Sequence, residues 1–151
     1  EIIVILYHIK ECVMKKIILF FVFGLILSCK QSISESDLQH LNGYWEIEKV
    51  ELPDGDKKEY KVNETIDFFK LESKKGFRKK VMPQLDGSYL TNNIQEEFVI
   101  TVTNGNAVIG YKTNYASWKE EIIELSNDKL VVKNQQDLEY HYKRPIKFSI
   151  K

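Results

Sequence analysis

From Gly43 onward the chain alternates apolar and polar residues with a period of two, interrupted by turn signals every eight to twelve residues. That period belongs to strands, because successive side chains on a strand point to opposite faces. Trp45 and Ile47 alternate with Glu46 and Glu48, and Leu52 closes the first strand at Pro53-Asp54-Gly55-Asp56. The clearest hairpin joins Phe98–Thr103 to Ala107–Thr113 through Asn104-Gly105. Asn-Gly suits a two-residue turn in which both central residues need positive φ. The count comes to eight or nine strands. No stretch after residue 42 is long enough for a helical crossover between parallel strands. Consecutive antiparallel hairpins follow, either as a meander barrel or as a sandwich. Before the first strand, Ser34 and Asp37 precede Leu38 and Leu41, the pattern of a short helical turn that Asn42-Gly43 ends.

The N-terminal segment has another character. Met14-Lys15-Lys16 leads into the apolar run Ile17 to Leu27 and then Ser28-Cys29. A basic start, a short apolar run and a small residue before the cut are the marks of an export signal. As a helix that run rises only about 16 Å, roughly half a hydrocarbon core. Ile26-Leu27-Ser28-Cys29 resembles the lipobox of bacterial lipoproteins. The resemblance implies that Cys29 is the acylated N-terminus of the processed chain and anchors it to a membrane. Lys30 stands where an aspartate would mark retention in the inner membrane, so the expected location is the cell envelope, at the outer membrane. The expected organisation is upstream sequence over 1–13, a signal over 14–28, a lipidated polar tether over 29–40 and one β-domain over 41–151.

Charge and thiol content narrow the function. Lys+Arg and Asp+Glu each number 22, which argues against a polybasic nucleic-acid partner. The cysteines are Cys12 and Cys29 alone, so processing and acylation leave no thiol for a nucleophile, a zinc ribbon or a redox pair.

Gly43-Tyr44-Trp45 on the first strand resembles the G-x-W signature of lipocalins, and Tyr140-His141-Tyr142-Lys143-Arg144 resembles their last strand. The segment also resembles the small lipocalin-like lipoproteins of Bacteroidetes-type bacteria, through Leu41-x-Gly43-x-Trp45, Leu130–Lys133 and the terminal Tyr-x-Tyr-Lys-Arg. What the resemblance implies is an all-β, antiparallel up-and-down barrel of about eight strands, spanning 41–146. It also implies that Gly43, Trp45 and Arg144 close one end, with the guanidinium packed over the indole as a cation–π pair.

The remaining candidates for chemistry have plain readings. Glu46 and Glu48, and the acidic residues near Glu97 and Glu121, fall on the solvent side of the alternation. His40 and His141 have no metal-binding spacing, and no G-x-S-x-G elbow is present. The expectation is therefore no enzyme, no cofactor and no metal. Lys70, Lys74, Lys75, Arg78, Lys79 and Lys80 form the densest basic patch, read as a solvated hairpin edge or a contact for an anionic partner. The aromatic set Phe68, Phe98, Tyr111, Trp118, Tyr140 and Tyr142 alternates inward, and Tyr111, Trp118 and Tyr142 are the candidate ligand-binding residues. The expected function is an anchored barrel that binds a small hydrophobic or amphipathic molecule. The alternative is a barrel with a filled core that acts as an interaction module in the envelope.

Overall fold

A computed structural model describes residues 31–146. Cys29, the segment 14–28 and residues 1–13 lie outside the described residues. After a short 3-10 helix (Asp37–Leu41) come ten strands: β1 (Gly43–Glu51), β2 (Lys57–Glu59), β3 (Ile66–Glu72), β4 (Lys75–Pro83), β5 (Tyr89–Thr91), β6 (Glu96–Thr103), β7 (Asn106–Lys112), β8 (Ser117–Leu125), β9 (Lys129–Asn134) and β10 (Glu139–Lys143). The wall runs β10–β9–β8–β7–β6–β4–β3–β1, and β10 pairs with β1 to close it. The result is an antiparallel eight-stranded barrel. β5 adds to the β4 side, while β2 pairs with Lys49–Glu51 of β1, beyond the Gly43–Trp45 stretch that β3 covers.

Local chemistry explains the joints. Asn104 and Gly105 take φ of 51° and 78°, the left-handed pair that the β6–β7 turn requires. Between Ile47 and Lys49 the register with β10 shifts by a bulge. Ile47 faces Tyr142 across the ladder, whereas Val50 faces Tyr140. The bulge thus moves the inward parity from odd to even residues and turns Lys49 and Glu51 to the outer face.

The apolar core lies toward the end that holds the 3-10 helix. Leu38, Leu41, Trp45, Phe69, Leu71, Ile100, Ile109, Ile122, Leu125 and Leu130 are buried in one cluster that continues to Phe98, Tyr111 and Tyr142. Residues read as a polar tether run against this end instead. Ile33 is fully buried and its N–H donates to the Gly105 carbonyl at 2.9 Å. The Gln31 amide bonds Leu125 in both directions, accepting from its N–H at 2.9 Å and donating to its carbonyl at 3.1 Å. Gln31→Ala should cost about 1–2 kcal/mol, since it strands a partly buried backbone donor and acceptor. Urea unfolding followed by far-ultraviolet circular dichroism checks this, and an unchanged midpoint would show the strap to be energetically idle.

One aromatic departs from the expected interior set. Phe68 faces outward and packs on Tyr44, with ring centroids 4.9 Å apart, while Phe69 fills the core. In Ile66-Asp67-Phe68-Phe69 three of four residues are apolar, so alternation alone leaves the phase open. Leu71, two residues on from Phe69, settles it, and Asp67 is carried inward with them.

Candidate functional site

The two ends of the barrel differ in chemistry. At the helical end the Arg144 guanidinium carbon lies 3.6 Å from the Trp45 ring centroid. Its nitrogens donate to the carbonyls of His40 (2.7 Å), Asn42 (3.1 Å), Tyr44 (3.1 Å) and Asn127 (2.8 Å). The Trp45 indole N–H donates to the Leu41 carbonyl at 2.8 Å. Gly43 has φ +106°, and a Cβ there would stand 3.2 Å from an Arg144 nitrogen, so glycine leaves the path of that side chain free. Gly43, Trp45 and Arg144 are thus brought together as a plug.

The candidate residues Tyr111, Trp118 and Tyr142 face inward, Tyr111 and Trp118 away from the helical end and Tyr142 beside Ile47 and Leu130. Tyr111 and Trp118 are cross-strand partners and their rings stack at 4.9 Å. Phe98 meets Tyr111 edge-on at 5.7 Å. Tyr142, on β10, is buried, and burial pushes its phenol and that of Tyr111 well above the usual range. Trp118 keeps partial access to solvent.

Set among these rings is a charged group that includes Glu96 and Glu120, the acidic neighbours of Glu97 and Glu121 that were expected on the solvent side. Arg78, read as part of the solvated basic patch, points into the barrel with its guanidinium 4.5 Å from the Tyr111 centroid. Its Nε donates to Glu96 at 2.6 Å, and one terminal nitrogen lies 3.6 Å from Glu120. Burial works against the Arg78 charge, but Tyr111, Glu120 and Asp67 around it more than restore it. Burial likewise raises the Glu120 carboxyl, against the pull of Arg78. Asp67 is 2% exposed and lies 2.8 Å from Lys80. The Tyr111 hydroxyl and one Glu120 oxygen are buried without a hydrogen-bond partner. The basic patch is therefore split by parity, with Arg78 and Lys80 opposite Phe69 and Asp67 and the neighbouring Lys79 on the outer face.

A signal for these residues existed. Glu120 sits between Trp118 and Ile122 in the same phase, and Glu96 sits two before Phe98. Any reading that sends Trp118 and Phe98 inward sends both carboxylates with them. Arg78 follows as the cation that balances them.

Hollows lie on the outer wall among the described residues. One of about 550 Å³ is lined by Tyr44, Ile66, Val62, Pro83 and Tyr89 among others. Another of about 800 Å³ is lined by Lys70, Lys75, Phe77, Glu97 and Lys112 among others. Among the described residues, Glu51, Glu139 and His141 are grouped closely enough to hold a metal ion.

Residues 41–132 match the family model of the lipocalin-like domain. Solved structures similar in fold include a lipocalin-like protein from Bacteroides uniformis, at 12% identity and a TM-score of 0.45 over 70% of this chain and 99% of that one. A protein from Bacteroides eggerthii is similar at 11% identity and a TM-score of 0.45, with the same coverage of 70% and 99%. Lobster apocrustacyanin A1 is similar at 12% identity and a TM-score of 0.43, covering 81% of this chain and 74% of its own. No curated protein matches the sequence. With the family model spanning more than half of the chain, and a closed antiparallel barrel built on those residues, the chain belongs to the lipocalin-like domain family.

Proposed function

We propose that this protein is a lipid-anchored binding protein of the bacterial cell envelope, held at the outer membrane through Cys29, whose barrel takes a small amphipathic molecule. The observation that carries the binding reading is the division of the interior. Aliphatic side chains fill the helical end, while the stacked rings of Tyr111 and Trp118 lie beside Arg78 and Glu120 away from it. A ligand with an apolar body and a polar head matches that division, with the rings as its apolar contact and the Arg78–Glu120 ion pair beside Tyr111 as its polar contact. Burying about 200 Å² of apolar ligand surface yields roughly 5 kcal/mol gross. Association entropy offsets much of that, so affinities of about micromolar or weaker are expected. The anchoring reading is supported by Lys15, Lys16, the run Ile17–Leu27 and Ser28-Cys29.

Two measurements test this. Cells fed a labelled fatty acid should label the wild type but not Cys29→Ala, and label retained in the variant would overturn the anchor. Titration of the purified protein with dodecanoic acid, dodecylamine and dodecanol should give a saturable change in tryptophan emission that Trp118→Phe removes and Trp45 alone does not sustain. Absence of any saturable response would favour a second reading, an interaction module. That reading draws on the hollows of the outer wall that have Tyr44, Tyr89 and Phe77 among their lining residues.

A further inference from the structure

Glu51 and Glu139 are direct cross-strand partners at the end of β1 and the start of β10, and His141 lies one pleat further along the same outer face. The β1 bulge creates this arrangement. With Trp45 and Ile47 pointing inward, an unbroken strand would send Glu51 inward too, and the extra residue at Glu48 turns it outward to meet the other two. The His141 Nε2 lies 3.6 Å from a Glu51 oxygen and 3.7 Å from a Glu139 oxygen. Those separations are too long for hydrogen bonds, and Nε2 is buried with no partner. They are close to the edge of a tetrahedron of ligands about 2.0–2.2 Å from a zinc ion, roughly 3.4 Å.

We propose that Glu51, Glu139 and His141 form a binding site for a divalent transition-metal ion of the zinc class on the outer wall of the barrel. Three protein ligands leave one position for water, the pattern of an open site rather than a closed structural one. A mixed imidazole and carboxylate set favours zinc and its neighbours over magnesium and calcium, which prefer oxygen alone. The charged groups facing the site are lysines: Lys49 and Lys57 on Glu51, and Lys133 on Glu139. The Lys49 ammonium, and then that of Lys57, lower the Glu51 carboxyl to about 2. Lys57 is half exposed and Lys133 partly so, so both can turn to water when an ion takes their place. Burial, then Lys49, lowers the His141 imidazole, which keeps it in the neutral form that ligates.

The test uses the full chain with its thiols alkylated, stripped with a chelator and titrated with zinc sulfate by calorimetry. One zinc per chain is expected, with a rise in melting temperature that magnesium does not give. Cobalt should produce visible d–d bands. His141→Ala and Glu139→Gln should each weaken zinc binding by more than the roughly tenfold cost of losing a mere supporting group, while His40→Ala leaves it unchanged. Glu139→Gln is isosteric and keeps the test decisive if His141→Ala folds poorly. No stoichiometric zinc uptake by the wild type, or uptake indifferent to Glu139→Gln and His141→Ala, would overturn the site.

Discussion

Trp45→Ala is expected to lower the unfolding free energy by about 3–5 kcal/mol, the range for truncating a large buried aromatic. Trp45 is fully buried, and its loss would open the floor of the barrel beneath Leu38 and Leu41. Arg144→Ala is expected to cost about 2–4 kcal/mol, because the carbonyls of His40, Asn42, Tyr44 and Asn127 lose their shared donor along with the stacked guanidinium. Arg144→Lys should recover little of this, since an ammonium cannot span carbonyls that the planar fork reaches at once. Chemical unfolding followed by circular dichroism at 218 nm gives the values. A loss below about 1 kcal/mol for Trp45→Ala would show that the plug does not hold the barrel together.

Arg78→Met removes the cation from a buried group of carboxylates and should destabilise the fold by about 3–5 kcal/mol at neutral pH. Glu96 and Glu120 would then face each other without it. The pH dependence has a definite sign. Burial raises the Glu120 carboxyl above its ordinary value, so the fold favours its protonated form, and its penalty grows as pH rises through the interval between the unfolded and folded values. Arg78 is the group that opposes this rise, so its loss widens the interval upward. The deficit of Arg78→Met should therefore shrink on acidification from about pH 8 to about pH 5. Adding Glu120→Gln should restore part of the loss at neutral pH and flatten the dependence. A deficit that is the same at both pH values, with no rescue by the second substitution, would refute the coupling between Arg78 and Glu120.

The wall of the barrel was legible because each strand carries its own alternation and each turn its own chemistry, Asn104-Gly105 above all. What was not legible turns on phase. In β3 a run of apolar residues gave Phe68 and Phe69 equal claim to the interior, and only long-range packing with Leu71 decides between them. In β1 the bulge reverses parity after Ile47, so Glu51 leaves the face that strict alternation assigns to it. Arg78 was hidden because five lysines surround it in sequence, and a charged run reads as solvent-facing until its partners on other strands are known. β2 gave no signal at all, since Lys57-Lys58-Glu59 is wholly polar and is a strand only through its bonds to β1. Ile33 is a single apolar residue in a polar stretch, too little for a pattern, yet it is completely buried.

The seam between β1 and β10 joins residues at opposite ends of the domain, with Glu46 paired to Lys143. β1 presents an open edge until Glu139–Lys143 pairs with it. Pairing over such a span places the domain among slow folders, in the range of about milliseconds to seconds. Neither edge can be satisfied by a partial chain, so closure is all-or-none and its timing belongs to the final strand: a chain cut anywhere before Glu139 would leave two edges unpaired.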